Sequence, residues 1–292
     1  MNLSQTQWMR LSAPIVGRFT WFFYPCAWLA GWVGWRTRPG TRANLVRNML
    51  PLCDGDLVRA RKEGQLAFRN AARYWVDICS LPHREIGRFE HDHMHLVNPH
   101  HLAVLGQPGP IVGVSAHTGT AEIVVQALTY RARRFTALIE ELEPPAFHDY
   151  VLSLRSSAGG DFYTAGFRGV RACLDALRRG EVVGMLGDRD IQGTGMCATM
   201  FGERVKLPRG PWELARRTGA VVLPVFTSRG WNDQFTVHIE EPFRVDSTAD
   251  AEADVRAAID RWAILLERHL RRSPGQWAVL EDFWKAHACV ES

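Results

Sequence analysis

The sequence predicts a single α/β domain, a central mixed and mostly parallel sheet flanked by helices, with an N-terminal membrane-associated helical segment. Three observations carry this. Short apolar runs alternate with helical periodicity from about Pro110 onward, the signature of strands covered on both faces. The chain has 292 residues, 46% hydrophobic and 23% charged, which suffices for a large buried core and excludes wholesale disorder. Residues 19–35 contain no charged side chain but four tryptophans, Trp21, Trp28, Trp32 and Trp35.

That uncharged run is the first element. A full bilayer span needs ~20 apolar residues, so the run is slightly short. Pro25, Gly31 and Gly34 are expected to kink or loosen a helix there. Arg10 and Arg18 precede it, and Arg36, Arg38, Arg42 and Arg47 follow. Tryptophan favours the headgroup region, where its ring is apolar and its N–H stays wet. Residues 1–40 therefore read as a helix that inserts into or lies on an anionic membrane surface, and residues 41–292 as the α/β domain. The competing reading is a Trp-rich helix packed on the core. A signal peptide fits less well, because the run is long and aromatic and no A-x-A site follows.

From Arg42 to about Leu81 the pattern is helical. Leu45, Val46, Met49 and Leu50 form one apolar patch, and Leu66, Phe68, Ala71, Tyr74, Trp75 and Ile78 another; Pro51 and Pro82 punctuate them. Strands are then expected at 111–116, 135–139, 161–165, 181–186, 221–227 and 235–239. Helices are expected at 122–130, 145–156, 170–179, 211–218 and 250–272. The net charge of +4 is too weak to argue for nucleic acid, but it suits an anionic surface or an acidic partner. Cys26, Cys53, Cys79, Cys173, Cys197 and Cys289 include no C-x-x-C pair. They read as free thiols in a reducing compartment, and none has zinc-site spacing.

Three stretches could carry chemistry. In Ser115-Ala116-His117-Thr118-Gly119-Thr120-Ala121-Glu122, a histidine stands at the end of a buried strand, where ligands and catalytic groups collect in open α/β sheets. With His117 in the loop and Glu122 in the first helical turn, the carboxylate could bond one imidazole nitrogen and leave the other free as a general base. A buried histidine satisfied by backbone is the plainer alternative. Gly187-Asp188-Arg189-Asp190 follows another buried strand, and its charges need partners or water. They could sit beside His117, or form a solvated turn. In Glu203-Arg204-Val205-Lys206-Leu207-Pro208-Arg209, the cations alternate along an extended segment. They could form a phosphate-binding row, or a solvated basic strand.

These residues resemble a known family. His117-x4-Glu122 is similar to the H-x4-D/E signature of the lysophospholipid and glycerolipid acyltransferase superfamily. Leu207-Pro208-Arg209-Gly210 and Val222-Leu223-Pro224-Val225 stand where its third and fourth blocks stand. More closely, the chain resembles the bacterial lipid A biosynthesis (lauroyl/myristoyl) acyltransferases, nearest to the phosphatidylinositol mannoside acyltransferase branch. Arg42-Ala43-Asn44-Leu45, Asn70-Ala71-Ala72-Arg73-Tyr74-Trp75, Leu81-Pro82, Asp188-Arg189-Asp190, Phe201-Gly202-Glu203 and Pro274-Gly275-Gln276-Trp277 support this. The resemblance runs from about residue 8 to 285.

The resemblance implies a membrane-associated O-acyltransferase that uses an acyl-carrier protein or coenzyme A thioester as co-substrate. It implies a glycolipid or lipid A-type acceptor, work at the cytoplasmic face of the bacterial inner membrane, and no metal or other cofactor. His117 would deprotonate the acceptor hydroxyl, Glu122 holds the family's acidic position, and Asp188 matches a charge-relay acid. Arg155 matches an arginine placed near the motif acid. Arg155, Arg189, Glu203, Arg204, Lys206 and Arg209 are the expected substrate-binding residues. Glu122 departs from the commoner Asp, and Leu280 and Glu281 stand where basic residues are frequent.

Three rival readings remain. Gly113-Val114-Ser115-Ala116-His117 begins like a hydrolase nucleophile elbow but lacks the second glycine. His91, His93 and His95 alternate as strand-borne metal ligands would, though in a loop-rich region. A lipid-binding protein of the same fold without turnover is the third.

Overall fold

The computed structural model describes residues 5–123, 125, 134–157, 159–230 and 234–289. Four helices open it: α1 (Gln5–Arg18), α2 (Thr20–Thr37), α3 (Pro39–Leu52) and α4 (Leu57–Ser80). Asp56 caps α4 by accepting the N–H groups of Val58 and Arg59, which would otherwise lack partners. α2 runs unbroken through Pro25, and its glycines do not loosen it. They let it press against α4: a Cβ on Gly31 would lie 2.7 Å from the Arg69 Cα, and one on Gly34 2.6 Å from the Phe68 ring. Trp35 is buried against α4, and Trp28 receives the Arg69 guanidinium 4.2 Å from its ring centroid.

The other side of this pair is apolar and exposed. Trp21 is 74% exposed, and Phe22, Leu29 and Val33 accompany it, as do Trp8, Leu11 and Ile15 of α1. Among the described residues no helix is long and apolar enough to cross a membrane.

The sheet follows the strand–helix alternation. α5 (Ile86–His93) precedes β1 (Met94–Val97), and a 3-10 turn (Pro99–Gly106) leads to β2 (Ile111–Ser115). Next come β3 (Phe135–Ile139), α6 (Pro145–Ser156), β4 (Asp161–Thr164), α7 (Phe167–Arg178) and β5 (Val182–Leu186). A hairpin, β6 (Met196–Met200) and β7 (Glu203–Leu207), precedes α8 (Gly210–Thr218). β8 (Val221–Arg229), β9 (Phe235–Ile239), β10 (Phe243–Arg244), α9 (Ala251–Arg272) and α10 (Phe283–Ala286) complete the chain. The strand order is β1-β9-β8-β2-β5-β3-β4, with β10 also on β8. Pairing is parallel except β8 with β9 and with β10, so the sheet is mixed and mostly parallel. Of the expected helix at 122–130, residues 121–123 and 125 are described as helical; 124 and 126–130 lie outside the described residues.

Strand residues alternate between two cores. Val112, Val114, Val183 and Val222 face α7, α8 and α9, while Ile111, Val182, Leu223 and Val225 join Val104 and Leu105 on the other face. Three expectations need correction. The cysteines are not all free: Cys197 on β6 and Cys289 form a disulfide. Residues 287–289 lie along β7, where Lys206 N–H donates to the His287 carbonyl and Cys289 N–H to that of Arg204, so the two thiols face each other. The histidine triplet does not share a strand, because His91 and His93 end α5 and only His95 is on β1. Finally, Arg209 lies beyond β7, which ends at Leu207, so the cations form no single row.

A buried carboxylate joins the helical layer to the sheet. Asp77 of α4 is fully buried. It accepts bonds from Tyr24 of α2 (2.6 Å) and Thr120 (2.7 Å), and it pairs with Arg229 at the end of β8. Burial opposes its ionisation, but Arg229 and Arg84 hold its carboxyl below the usual carboxylate range. Because the folded-state pKa is depressed, this stabilisation is complete above about pH 4 and drains away as pH falls through the lowered value. Replacing Asp77 with alanine strands a buried guanidinium. The expected loss is about 3–5 kcal/mol, read by urea unfolding at neutral pH. The variant should also show a shallower acid dependence of stability than the parent.

Candidate active site

β2 and β5 are adjacent and parallel, in register from Ile111–Val182 to Ser115–Leu186. Their carboxyl ends therefore deliver His117 and Asp188 to the same edge. The histidine Nδ1 lies 2.9 Å from Asp188 Oδ1, and the His117 backbone N–H donates to Oδ2 at 3.0 Å. The Trp277 indole N–H donates to the same Oδ2 at 2.9 Å. Asp188 is completely buried. Burial works against its charge, yet the His117 ring, the Trp277 N–H and the His117 amide hold its carboxyl below the usual range. An ionised carboxylate only accepts, so Nδ1 carries a proton, and in the neutral ring Nε2 keeps a lone pair. Among the described residues Nε2 has no hydrogen-bond partner, and the His117 side chain is 27% exposed.

The turn after His117 is held from three sides. Gly119 has φ +56°, and a Cβ there would meet Thr227 Oγ1 at 2.6 Å, so no other residue fits without displacement. Thr227 Oγ1 donates to the Thr118 carbonyl and accepts the Thr120 N–H. Gly119 N–H donates to the Gln276 carbonyl, and Ala278 N–H to that of His117.

Glu122 does not touch the histidine. It opens the next helix, as expected, but Arg155 of α6 holds it (Nη2 to Oε1 3.0 Å), and it accepts the Tyr74 hydroxyl. Arg155 also donates to the Tyr74 oxygen at 2.6 Å. The imidazole partner is thus Asp188, and Glu122 forms a neighbouring ion pair instead. Burial and then Glu122 push the Tyr74 phenol well above its ordinary value, so it stays a neutral donor.

The other expected residues are dispersed. Arg189 adjoins Asp188, but Glu281 grips it through two bonds (2.8 and 2.7 Å), and Glu140 lies 3.3 Å away. Glu203, Arg204 and Lys206 lie on β7 of the hairpin, which packs on α9 and the C-terminal segment. Arg209 is bound by Glu213 and Glu252. Ser115 Oγ is buried without a partner, so it does not pair with His117. Among the described residues no cluster of His, Cys, Asp or Glu is arranged to hold a metal. Two clefts of about 430 and 560 Å³ border Pro110 and Val221, at the amino ends of β2 and β8, away from His117.

Comparison with known proteins decides the family. Residues 21–286 match the bacterial lipid A biosynthesis acyltransferases. The chain belongs to that family. It is 30% identical over 223 residues to a phosphatidylinositol mannoside acyltransferase of Mycobacterium tuberculosis, covering 73% of this chain and 67% of the relative. It is 26% identical over 239 residues to a protein of the same description from Mycolicibacterium smegmatis, covering 79% and 73%. The protein is accordingly a lipid acyltransferase.

Within this acyltransferase, sequence reasoning passed over Tyr74, Asp77, Thr227 and the side chain of Trp277. Tyr74 fell in an apolar helix patch. Only burial of an acid in mid-helix could have pointed to Asp77, and long-range contacts decide burial.

Proposed function

We propose that the protein moves a fatty acyl chain from an acyl thioester to a hydroxyl of a membrane glycolipid, with His117 as general base. One observation carries this: Asp188 fixes the Nδ1–H tautomer of a histidine whose Nε2 lone pair is open at the sheet edge. An alcohol is a poor nucleophile at neutral pH, so removing its proton as the bond forms contributes ~10²–10⁴-fold. His117 Nε2 takes that proton while the oxygen attacks the thioester carbonyl. The carbon–sulfur bond then breaks, and the imidazolium returns the proton to the departing thiolate. Asp188 stabilises the transient imidazolium and remains ionised.

The Gly119 N–H already serves Gln276, so it does not stabilise the oxyanion. Arg155 acts through Glu122, ordering the wall beside the histidine. Arg204 and Lys206, on one side of β7, suit a phosphate of the donor or acceptor. The donor is a carrier-protein or coenzyme A thioester. A mannosylated phosphatidylinositol is the first acceptor to test, because the mycobacterial relatives are named for it. The exposed apolar face of α1 and α2, edged by arginines, supports residence on a membrane surface, and the family resemblance is what suggests the cytoplasmic face of the bacterial inner membrane.

His117→Ala should abolish transfer from long-chain acyl thioesters to mannosylated phosphatidylinositol or a membrane lipid extract while the protein stays folded, with stability lowered by about 1–3 kcal/mol because buried Asp188 loses one donor. Ser115→Ala should keep most activity. A dead Ser115→Ala beside an active His117→Ala would favour a hydrolase, and no product with any donor would favour a lipid-binding protein.

Membrane contact has its own test. Deleting α2 would strip Tyr24 from Asp77, so surface substitutions are cleaner. Trp21→Ser combined with Phe22→Ser and Leu29→Ser should lose co-sedimentation with anionic vesicles while keeping the thermal midpoint. Undiminished co-sedimentation would count against this face.

A further inference from the structure

Trp277 is fully buried near the C-terminus, 89 residues from the acid it touches. Its ring packs edge-on against Phe283, with centroids 4.8 Å apart. A clamp on both sides fixes its backbone. Before it, the Gln276 side chain exchanges two bonds with the Arg229 backbone (3.0 and 2.8 Å), and Gly275 bonds Glu63 and Asn70 of α4. After it, Ala278 N–H donates to the His117 carbonyl at 2.9 Å. The segment that carries the indole is therefore tied to both the histidine loop and the sheet.

Asp188 receives three donors, divided unequally. The Trp277 indole and the His117 amide share Oδ2, which leaves Oδ1 to the imidazole. We propose that Trp277 is a positioning residue for proton transfer: its N–H pins Oδ2 so that Oδ1 meets the His117 ring at the correct angle. This rests on the general-base reading above and deepens it. Indole N–H is a donor only, so it cannot flip into an acceptor and release the carboxylate. A fully buried acid that loses this donor is free to rotate and turn Oδ1 off the imidazole.

The rotation is measurable. With Oδ1 turned off the ring, Asp188 stabilises the imidazolium less, and the acid limb of the pH profile moves downward. The other charged groups around the pair are Arg189 with Glu140 and Glu281 at the strand end, and Glu122 with Arg155 on the helix side. Asp77 with Arg229 and Arg84 lies beneath, and His287 is bonded to Glu281. None of these changes when the indole N–H is removed.

The test compares Trp277→Phe and Trp277→benzothienylalanine, which keeps the bicyclic shape but replaces N–H with sulfur, against the parent. Donor and acceptor are the pair on which the parent is most active. The expected result for both is kcat down about tenfold, KM within about twofold, and an acid limb of kcat/KM displaced to lower pH. If Trp277→Phe fails to fold, the isosteric variant decides alone. Unchanged kcat in that variant, or a uniform loss with an unmoved limb, overturns the proposal. His117→Ala separates the two readings. If it is inactive while the Trp277 variants match the parent, only the positioning role fails; if it is active, the general-base reading fails with it.

Discussion

A carboxylate placed in a dry sheet edge must be satisfied or neutralised, and Asp188 is satisfied by three donors from distant parts of the chain. That requirement draws the end of β2, the end of β5 and the C-terminal segment to one point. It also sets the chemistry. The acid needs a donor from the imidazole, so the ring turns its Nδ1–H inward and its unprotonated nitrogen outward. The orientation of the histidine ring is thus a by-product of solving a burial problem.

Beneath the histidine loop the same problem recurs. Asp77 is buried on α4 and answered by Tyr24, Thr120 and Arg229. α2 is thereby wired to the floor of the site. The helix that exposes tryptophan and phenylalanine on one side presents, on the other, the tyrosine that steadies the loop after His117. The exposed apolar face of α2 and the histidine loop are therefore mechanically linked, although among the described residues no helix is long and apolar enough to cross a bilayer. Glu122 with Arg155 and Tyr74 forms a third satisfied acid nearby. Each acid holds one piece of the wall, and only Asp188 holds the reactive ring.

Local pattern accounts for much of the architecture. The strands at 135–139 and 235–239 and the helix at 145–156 fall where apolar periodicity and proline or glycine punctuation put them. β1 and β6 did not stand out, because both are short and carry polar residues between apolar ones, whereas β7 was legible as an extended cationic segment. At the site, two residues at strand ends, His117 and Asp188, were legible because polar groups directly after buried strands are conspicuous. The partner of His117 was legible through the family resemblance, which matches Asp188 to a charge-relay acid, and not from local spacing. Sequence proximity favours Glu122, five residues away, but parallel pairing of β2 and β5 brings Asp188 closer in space. The disulfide was invisible for a related reason: Cys197 and Cys289 are 92 residues apart and meet only because the C-terminal segment lies along β7. The glycines of α2 show the converse error. Helix propensity counts them as weak points, whereas tertiary contact uses their lack of a side chain for close approach.

The most direct measurement is the tautomer and protonation of His117 itself, read from imidazole nitrogen resonances in isotope-labelled protein and assigned by their loss in His117→Gln. The account predicts that the neutral ring is protonated at Nδ1 and bare at Nε2, a preference lost in Asp188→Asn. A ring protonated at Nε2, or one indifferent to Asp188, would contradict it.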